Sequence, residues 1–225
     1  MPDAMTELES RQAIIDHCLM MNAGGINQGM SGNISLRHGE RLLITPTSIP
    51  YDLLRPADIA SMSLGEDYGA WEGPKPPSSE WRFHLDIMRA RPEVGAIIHS
   101  HPIYCTSLAI ARKSIPACHY MIAVFGGDDV RCADYATYGT KALSVNVIRA
   151  LEGRSACLLA NHGAVATGHD LANAFWRAVE LETIARQYFN ALLIGGPVLL
   201  TPAEMAETFA TGLARHYGGA LRPTA

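Results

Sequence analysis

The 225-residue chain sets 18 Lys and Arg against 22 Asp and Glu, a net charge of −4, and 48% of its residues are hydrophobic, enough for a full core in one domain spanning 1–225. The charges are spread along the chain, so no basic stripe points to nucleic acid, and no segment approaches the ~18 uninterrupted apolar residues of a membrane span. The five cysteines (Cys18, Cys105, Cys118, Cys132, Cys157) are odd in number and hold no Cys-x-x-Cys pair, which argues against a disulfide framework or a thiolate zinc cluster. With early acids at Asp3, Glu7 and Glu9 and no signal-peptide pattern, a reduced cytoplasmic protein is expected.

Leu8, Ile14, Ile15, Cys18, Leu19 and Met21 recur at helical intervals over residues 7–23, and Gly24-Gly25 supplies the freedom that ends a helix. A glycine-punctuated stretch from Asn27 to Asn33 leads into Ile34-Ser35-Leu36-Arg37, whose alternation predicts a strand, and Leu42-Leu43-Ile44-Thr45 predicts a second. Pro46, Pro50 and Pro56 make loops around Thr47-Ser48 before an extended segment at 58–62. After a rigid connector at 72–77, Ser78 or Ser79 is expected to cap a helix carrying Phe83, Leu85, Ile87 and Met88. An apolar strand then ends at His99. A helix near 102–112, a strand near 117–124, a helix over 140–151, a strand at 157–160, a helix over 171–193 and a last one over 202–217 complete the pattern. Strands and helices that do not strictly alternate predict an α/β protein, a three-layer α/β/α fold around a mainly antiparallel or mixed sheet. Neither a GxGxxG turn nor a Walker loop occurs, and no internal repeat is present.

Ala96-Ile97-Ile98-His99-Ser100-His101-Pro102 carries the first chemical signal. Residues two apart on a strand share a face, so the imidazoles of His99 and His101 can converge on one ion, with His162 of Asn161-His162-Gly163 as a third ligand. A pair of surface or core histidines satisfied by hydrogen bonds is the alternative reading of the pair taken alone. Three neutral imidazoles with an open fourth position suit a catalytic Zn²⁺. Glu80 could reach the ion or act as a base beside it, although a first-turn glutamate is also favoured by the helix dipole alone. Small polar residues cluster at Ser31-Gly32-Asn33, Thr45-Pro46-Thr47-Ser48 and Ser78-Ser79; together they could cradle a phosphate, while ordinary turn chemistry explains each separately.

Several stretches carry a resemblance: Asn27-Gln28-Gly29, Ser31-Gly32-Asn33, Ile44-Thr45-Pro46-Thr47, Pro77-Ser78-Ser79-Glu80-Trp81-Arg82-Phe83-His84, His119-Tyr120-Met121-Ile122-Ala123 and Tyr135-Ala136-Thr137. In register from about residue 11 to 205, the chain resembles the class II sugar-phosphate aldolase and adducin-head family, and within it the fuculose-phosphate aldolases. That resemblance implies Zn²⁺, with Mn²⁺ or Co²⁺ as alternatives, on His99, His101 and His162, and Glu80 as a fourth ligand that becomes the proton-transferring group. It implies a phosphate site of Gly32, Asn33, Thr47, Ser48, Ser78 and Ser79, and a C4 homotetramer in which Tyr120 reaches a neighbouring subunit's site. Tyr217 corresponds, on a looser alignment, to another residue of that site.

The chain departs from the family pattern at Ser48, where the fuculose-phosphate aldolases have Gly, at Tyr138 in place of Phe, at Val124-Phe125 in place of two alanines, and at Pro102 in place of Ala. Apolar bulk from Val124 and Phe125, if they face the site with Tyr138 and Tyr217, would favour an aldehyde ending in an apolar group. The expected substrate is thus a small sugar phosphate: a 5-deoxypentulose 1-phosphate, 5-(methylthio)ribulose 1-phosphate or L-fuculose 1-phosphate, cleaved to dihydroxyacetone phosphate and an aldehyde. The lysines, Lys75, Lys113 and Lys141, do not sit in apolar strands suited to a Schiff base. Pentulose-phosphate 4-epimerases, which carry Asp in place of Glu80, methylthioribulose-phosphate dehydratases and the non-catalytic adducin head are the alternatives on the same scaffold.

Overall fold

One mainly antiparallel sheet, covered by helices on both faces, organises residues 5–65 and 67–213, which the computed structural model describes. In chain order the elements are α1 (Glu7–Ala23), β1 (Asn33–His38), β2 (Arg41–Ile44), β3 (Ala60–Ser63), β4 (Trp71–Glu72), α2 (Trp81–Ala90), β5 (Ala96–Ser100), α3 (Ile103–Ile110), β6 (Cys132–Ala133), α4 (Lys141–Ala150), β7 (Ala156–Leu159), β8 (Gly163–Gly168), α5 (Leu171–Leu193) and α6 (Pro202–Ala210). The sheet order is β4-β3-β2-β1-β5-β8-β7-β6, and β6–β7 is its parallel pair.

Alternation along the strands builds two cores. Ile34, Leu43, Ile98, Leu158 and Ala166 point to one face, where they pack on α1, α3 and α5. Leu42, Ile44, Met62, Ile97, Leu159 and Val165 point to the other, where Phe83, Leu85 and Ile87 of α2 and Leu143 and Val147 of α4 cover them. This is the expected three-layer α/β/α arrangement. Thr6 and Glu9 form a capping box at the start of α1, and Thr201 and Glu204 repeat it at α6, where Pro202 takes the first helical position.

Four local expectations differ from the structure. Residues Tyr120–Phe125 form a 3₁₀ helix rather than a strand; His119 Nδ1 accepts the Met121 N–H at its start, and Gly126, at φ 94°, ends it. Five consecutive buried side chains, Met121 to Phe125, show why an apolar run without alternation misleads. Residues 163–168, for which the sequence pattern gives no element, are the central strand β8. Neither Ser78 nor Ser79 caps α2: Glu80 holds the cap position, and Ser78 instead accepts the Glu80 N–H with its hydroxyl (3.2 Å) and the Trp81 N–H with its carbonyl (3.0 Å). Finally, α6 stops at Ala210 rather than 217, and residues 214–217 lie outside the described part.

Candidate metal centre and substrate cavity

His99 points to the α2 side of the sheet, flanked across β5 by Asn33 on β1 and Val165 on β8. His101 follows the strand end, where Pro102 starts α3 and favours extended backbone in the residue before it. His162 comes from the tight β7–β8 connection, whose turn closes with the His162 N–H donating to the Leu159 carbonyl (3.0 Å). Asn161 takes φ 54° there, a left-handed conformation that Asn tolerates well, and Arg112 holds its side chain (3.1 Å). Glycine at 163 lets the strands close: an ideal Cβ would lie 2.6 Å from the His101 ring and 2.6 Å from the Ser100 carbonyl oxygen.

The donor atoms converge. Glu80 Oε2 lies 3.0 Å from His99 Nε2, Glu80 Oε1 3.2 Å from His162 Nε2, and His99 Nε2 3.1 Å from His101 Nε2. The nitrogens of the three histidines fall within 4.8 Å of one another. Metal bonds of ~2.0–2.1 Å in a tetrahedron put donors about 3.3 Å apart, so these side chains fit a zinc-sized ion with little movement. His99 Nδ1 donates to the Ala164 carbonyl (2.9 Å), which turns the lone pair of Nε2 toward the centre. Glu80 Oε1 is buried and has no hydrogen-bond partner among the described residues. Lone pairs and a carboxylate facing one another without intervening donors repel unless a cation lies among them, and three imidazoles with one carboxylate are a donor set suited to Zn²⁺.

Without an ion, the same groups couple electrostatically to one another. Burial pushes the Glu80 carboxyl up, but His99 and His162 opposite it and the Asn33 hydrogen bond hold it well below the usual carboxylate range. Burial pulls His99 down, yet the Glu80 carboxylate facing it raises it overall. His101 and His162 are each lowered to about 4, by burial first and by the His99 charge second, which keeps them neutral ligands at physiological pH.

A cavity of about 360 Å³ opens over Glu80, His101 and His162, walled by Ser31, Ser79, Tyr135, Ala136, Tyr138 and Asn161. Ser31 and Ser79 bring two of the three small polar loops to its wall, and the third, Thr45 to Ser48, pairs with the segment before Ser79. Pro46 and Pro77 form a β-bridge, Thr47 N–H donates to the Pro76 carbonyl (3.3 Å) and Ser78 N–H to the Thr45 carbonyl (2.9 Å), so Thr47 and Ser48 stand beside Ser78 and Ser79. Tyr51 donates to the Gly32 carbonyl (2.5 Å) and anchors the loop before Asn33. Ser48 adopts φ 58°, a left-handed conformation in which glycine would be free of strain.

Other expected residues fall elsewhere. Val124 and Phe125 are core side chains, 2% and 0% exposed, beside a separate cavity with Arg154 and Thr167, and they do not line the histidine cavity. They sit in the 3₁₀ helix where apolar packing claims them, so the expectation that they shape the aldehyde pocket is not supported by this chain's geometry. Tyr138 does line the cavity. Tyr120 stacks on His119, is 46% exposed and stands outside the cavity of its own chain. Tyr217 lies outside the described residues. Sequence reasoning assigned no role to Ser35 and His84, although the two-residue step from Asn33 to Ser35 and the four-residue step from Glu80 to His84 were readable signals.

A three-histidine cluster able to hold a metal, on a helix-covered and mainly antiparallel sheet, fits a class II aldolase, a metal-dependent lyase. The chain belongs to the Class II Aldolase and Adducin N-terminal domain family, whose model matches residues 12–189. It is 47% identical over 195 residues, 87% of each chain, to a 5-methylthioribulose-1-phosphate/5-deoxyribulose-1-phosphate aldolase of Rhodospirillum rubrum. It is 45% identical to an L-fuculose phosphate aldolase of Escherichia coli (strain K12), over 86% of this chain and 89% of that one. Among solved structures, an L-fuculose 1-phosphate aldolase superposes with a TM-score of 0.86 at 40% identity, covering 93% of this chain and 98% of the other.

Proposed function

We propose that the chain is a cytoplasmic, zinc-dependent aldolase that reversibly cleaves a 5-deoxypentulose 1-phosphate or 5-(methylthio)ribulose 1-phosphate to dihydroxyacetone phosphate and an aldehyde. The convergence of His99, His101 and His162 on Glu80 carries the reading. Bound there, Zn²⁺ would supply a Lewis acid that polarises the substrate carbonyl and stabilises the negative charge left when the C–C bond breaks. Glu80, displaced toward the cavity, exchanges the proton on the dihydroxyacetone carbon. Gly32, Asn33, Thr47, Ser48, Ser78 and Ser79 orient the phosphate. Tyr120, exposed and outside its own cavity, acts from a neighbouring subunit of a C4 tetramer on the hydroxyl at the breaking bond. Five free thiols suit a reducing compartment.

The substrate choice leans on the 47% identical relative and on a cavity wall of Tyr135, Ala136 and Tyr138, whose apolar faces suit a methyl or methylthio end. The 45% identical L-fuculose phosphate aldolase makes L-fuculose 1-phosphate the competing substrate. Steady-state kcat/KM across the three sugars decides between them. The expected preference for the deoxy and methylthio sugars is on the order of 10- to 100-fold, the scale at which an apolar pocket rejects a hydroxyl; a strong preference for L-fuculose 1-phosphate overturns the choice. Chelation should abolish activity and Zn²⁺ restore it. A chelator-resistant enzyme trapped by borohydride, or a product that is an epimer or a dehydrated diketone, overturns the aldolase mechanism itself.

A further inference from the structure

We infer that Ser35, His84 and Asn33 form a neutral, one-directional hydrogen-bond chain on which Glu80 pivots, making His84 a positioning residue of the metal centre; this rests on the metal-dependent reading above. Glu80 and His84 stand one helical turn apart at the start of α2, so their side chains share a face. Asn33 and Ser35 lie two apart on β1 and share the sheet face that α2 covers. All four are buried, His84 and Ser35 completely.

Chemistry fixes each direction. An ionised carboxylate only accepts, so the Asn33 atom 3.0 Å from Glu80 Oε2 is its amide nitrogen. Asn33 Oδ1 then faces His84 Nε2 at 2.5 Å, and that nitrogen carries the ring proton. His84 Nδ1 is left to accept from the Ser35 hydroxyl, 2.7 Å away. Burial first, and the His99 charge second, push His84 down to about 3, so the ring stays neutral.

Burying this many polar groups beside Phe83 is costly unless every one is satisfied, and here Glu80 Oε1 is the end left open. Asn33 keeps hold of Oε2, while Oε1 is free to turn between the ion and the substrate proton without the carboxylate losing its anchor. His84 lies too deep to touch substrate, and it acts through Asn33 alone.

Two variants separate this role from simple packing. In His84→Gln the amide N–H replaces Nε2–H and still reaches Asn33; in His84→Asn it stops short and reaches only Ser35. Metal-free protein is refilled with Co²⁺, and its affinity and visible absorption are read without substrate. His84→Asn should lose on the order of 10- to 100-fold in affinity and shift the spectrum, while His84→Gln stays within about threefold of wild type, the scale expected of groups that orient ligands. On an Asn33→Ala background, His84→Asn should have no further effect. Equal behaviour of the two variants, or additive effects with Asn33→Ala, overturns the inference. Should His84→Asn not fold, Asn33→Ala is read alone, and an unshifted Co²⁺ spectrum overturns it. Wild-type protein that takes up no Co²⁺ overturns the metal reading and this inference with it, whereas a normal wild-type spectrum with equal variants overturns the inference only.

Discussion

A methyl group at position 163 would have nowhere to go. Its Cβ would press on the His101 ring and the Ser100 carbonyl oxygen, both at 2.6 Å, and strand β8 is held against β5 through five residue pairs, so the ring must turn away and the strand ends must also part. Gly163→Ala should therefore weaken Zn²⁺ binding on the order of 10- to 100-fold, as expected when a ligand is turned out of place, and cost about 1–3 kcal/mol of stability by overpacking. Competition with a chromogenic chelator and a urea titration measure both; zinc affinity that stays at the wild-type value would show that β8 does not set the His101 ring. His99 and His101 could be read from the sequence because a two-residue step on a strand is itself a statement about direction, and His162 because it follows a later apolar strand. Gly163 could not, since what a side chain there must avoid belongs to another strand, whereas Ser35 carried a readable two-residue step from Asn33.

Helix α2 shows how an element joins packing to chemistry. Phe83, Leu85 and Ile87 seat it on the sheet, and the same seating takes His84 completely out of water. The folded-state pKa of His84 is about 3 against an ordinary 6.5. As pH falls below 6.5 the unfolded chain takes up this proton and the native chain does not, so stability is lost from about pH 6.5 down toward 3, at about 1.4 kcal/mol per pH unit for this group. His101 and His162, also lowered, add to that loss, while His99, which is raised, opposes it. In chelated protein, urea midpoints should fall steeply with acidification, and His84→Gln should flatten the fall by one proton's worth; slopes that coincide between about pH 4 and 6 would rule out His84 as a contributor. Helices α1, α2 and α5 were legible along the chain to within a few residues at each end. Burial of every residue removed the alternation that would have marked β8, and the same loss made the 3₁₀ helix at Tyr120–Phe125 look like a strand. The N-cap of α2 was misread because Glu80 occupies it without a side-chain cap bond and Ser78 spends its hydroxyl on the Glu80 N–H.

At the scale of the molecule, the placement of Tyr120 decides how many chains make one site. It stands on the 3₁₀ helix against the α5 side of the sheet, while Glu80 and the histidines open on the other face, so a single chain does not bring the proposed proton donor to its own cavity. If Tyr120 serves a neighbour, each active site draws Glu80 from one chain and Tyr120 from the next around the ring. Tyr120→Phe and Glu80→Gln tetramers should then each be close to inactive, yet subunit exchange between equal amounts of the two should restore about one-quarter of wild-type activity, because half the chains carry an intact Glu80 and half of their neighbours carry an intact Tyr120. A Tyr120 that acts within its own chain predicts no recovery at all, since no chain in the mixture holds both residues. Activity measured on the exchanged mixture, with the mass of the assembly checked by light scattering, separates the two arrangements without reference to which sugar phosphate is the substrate.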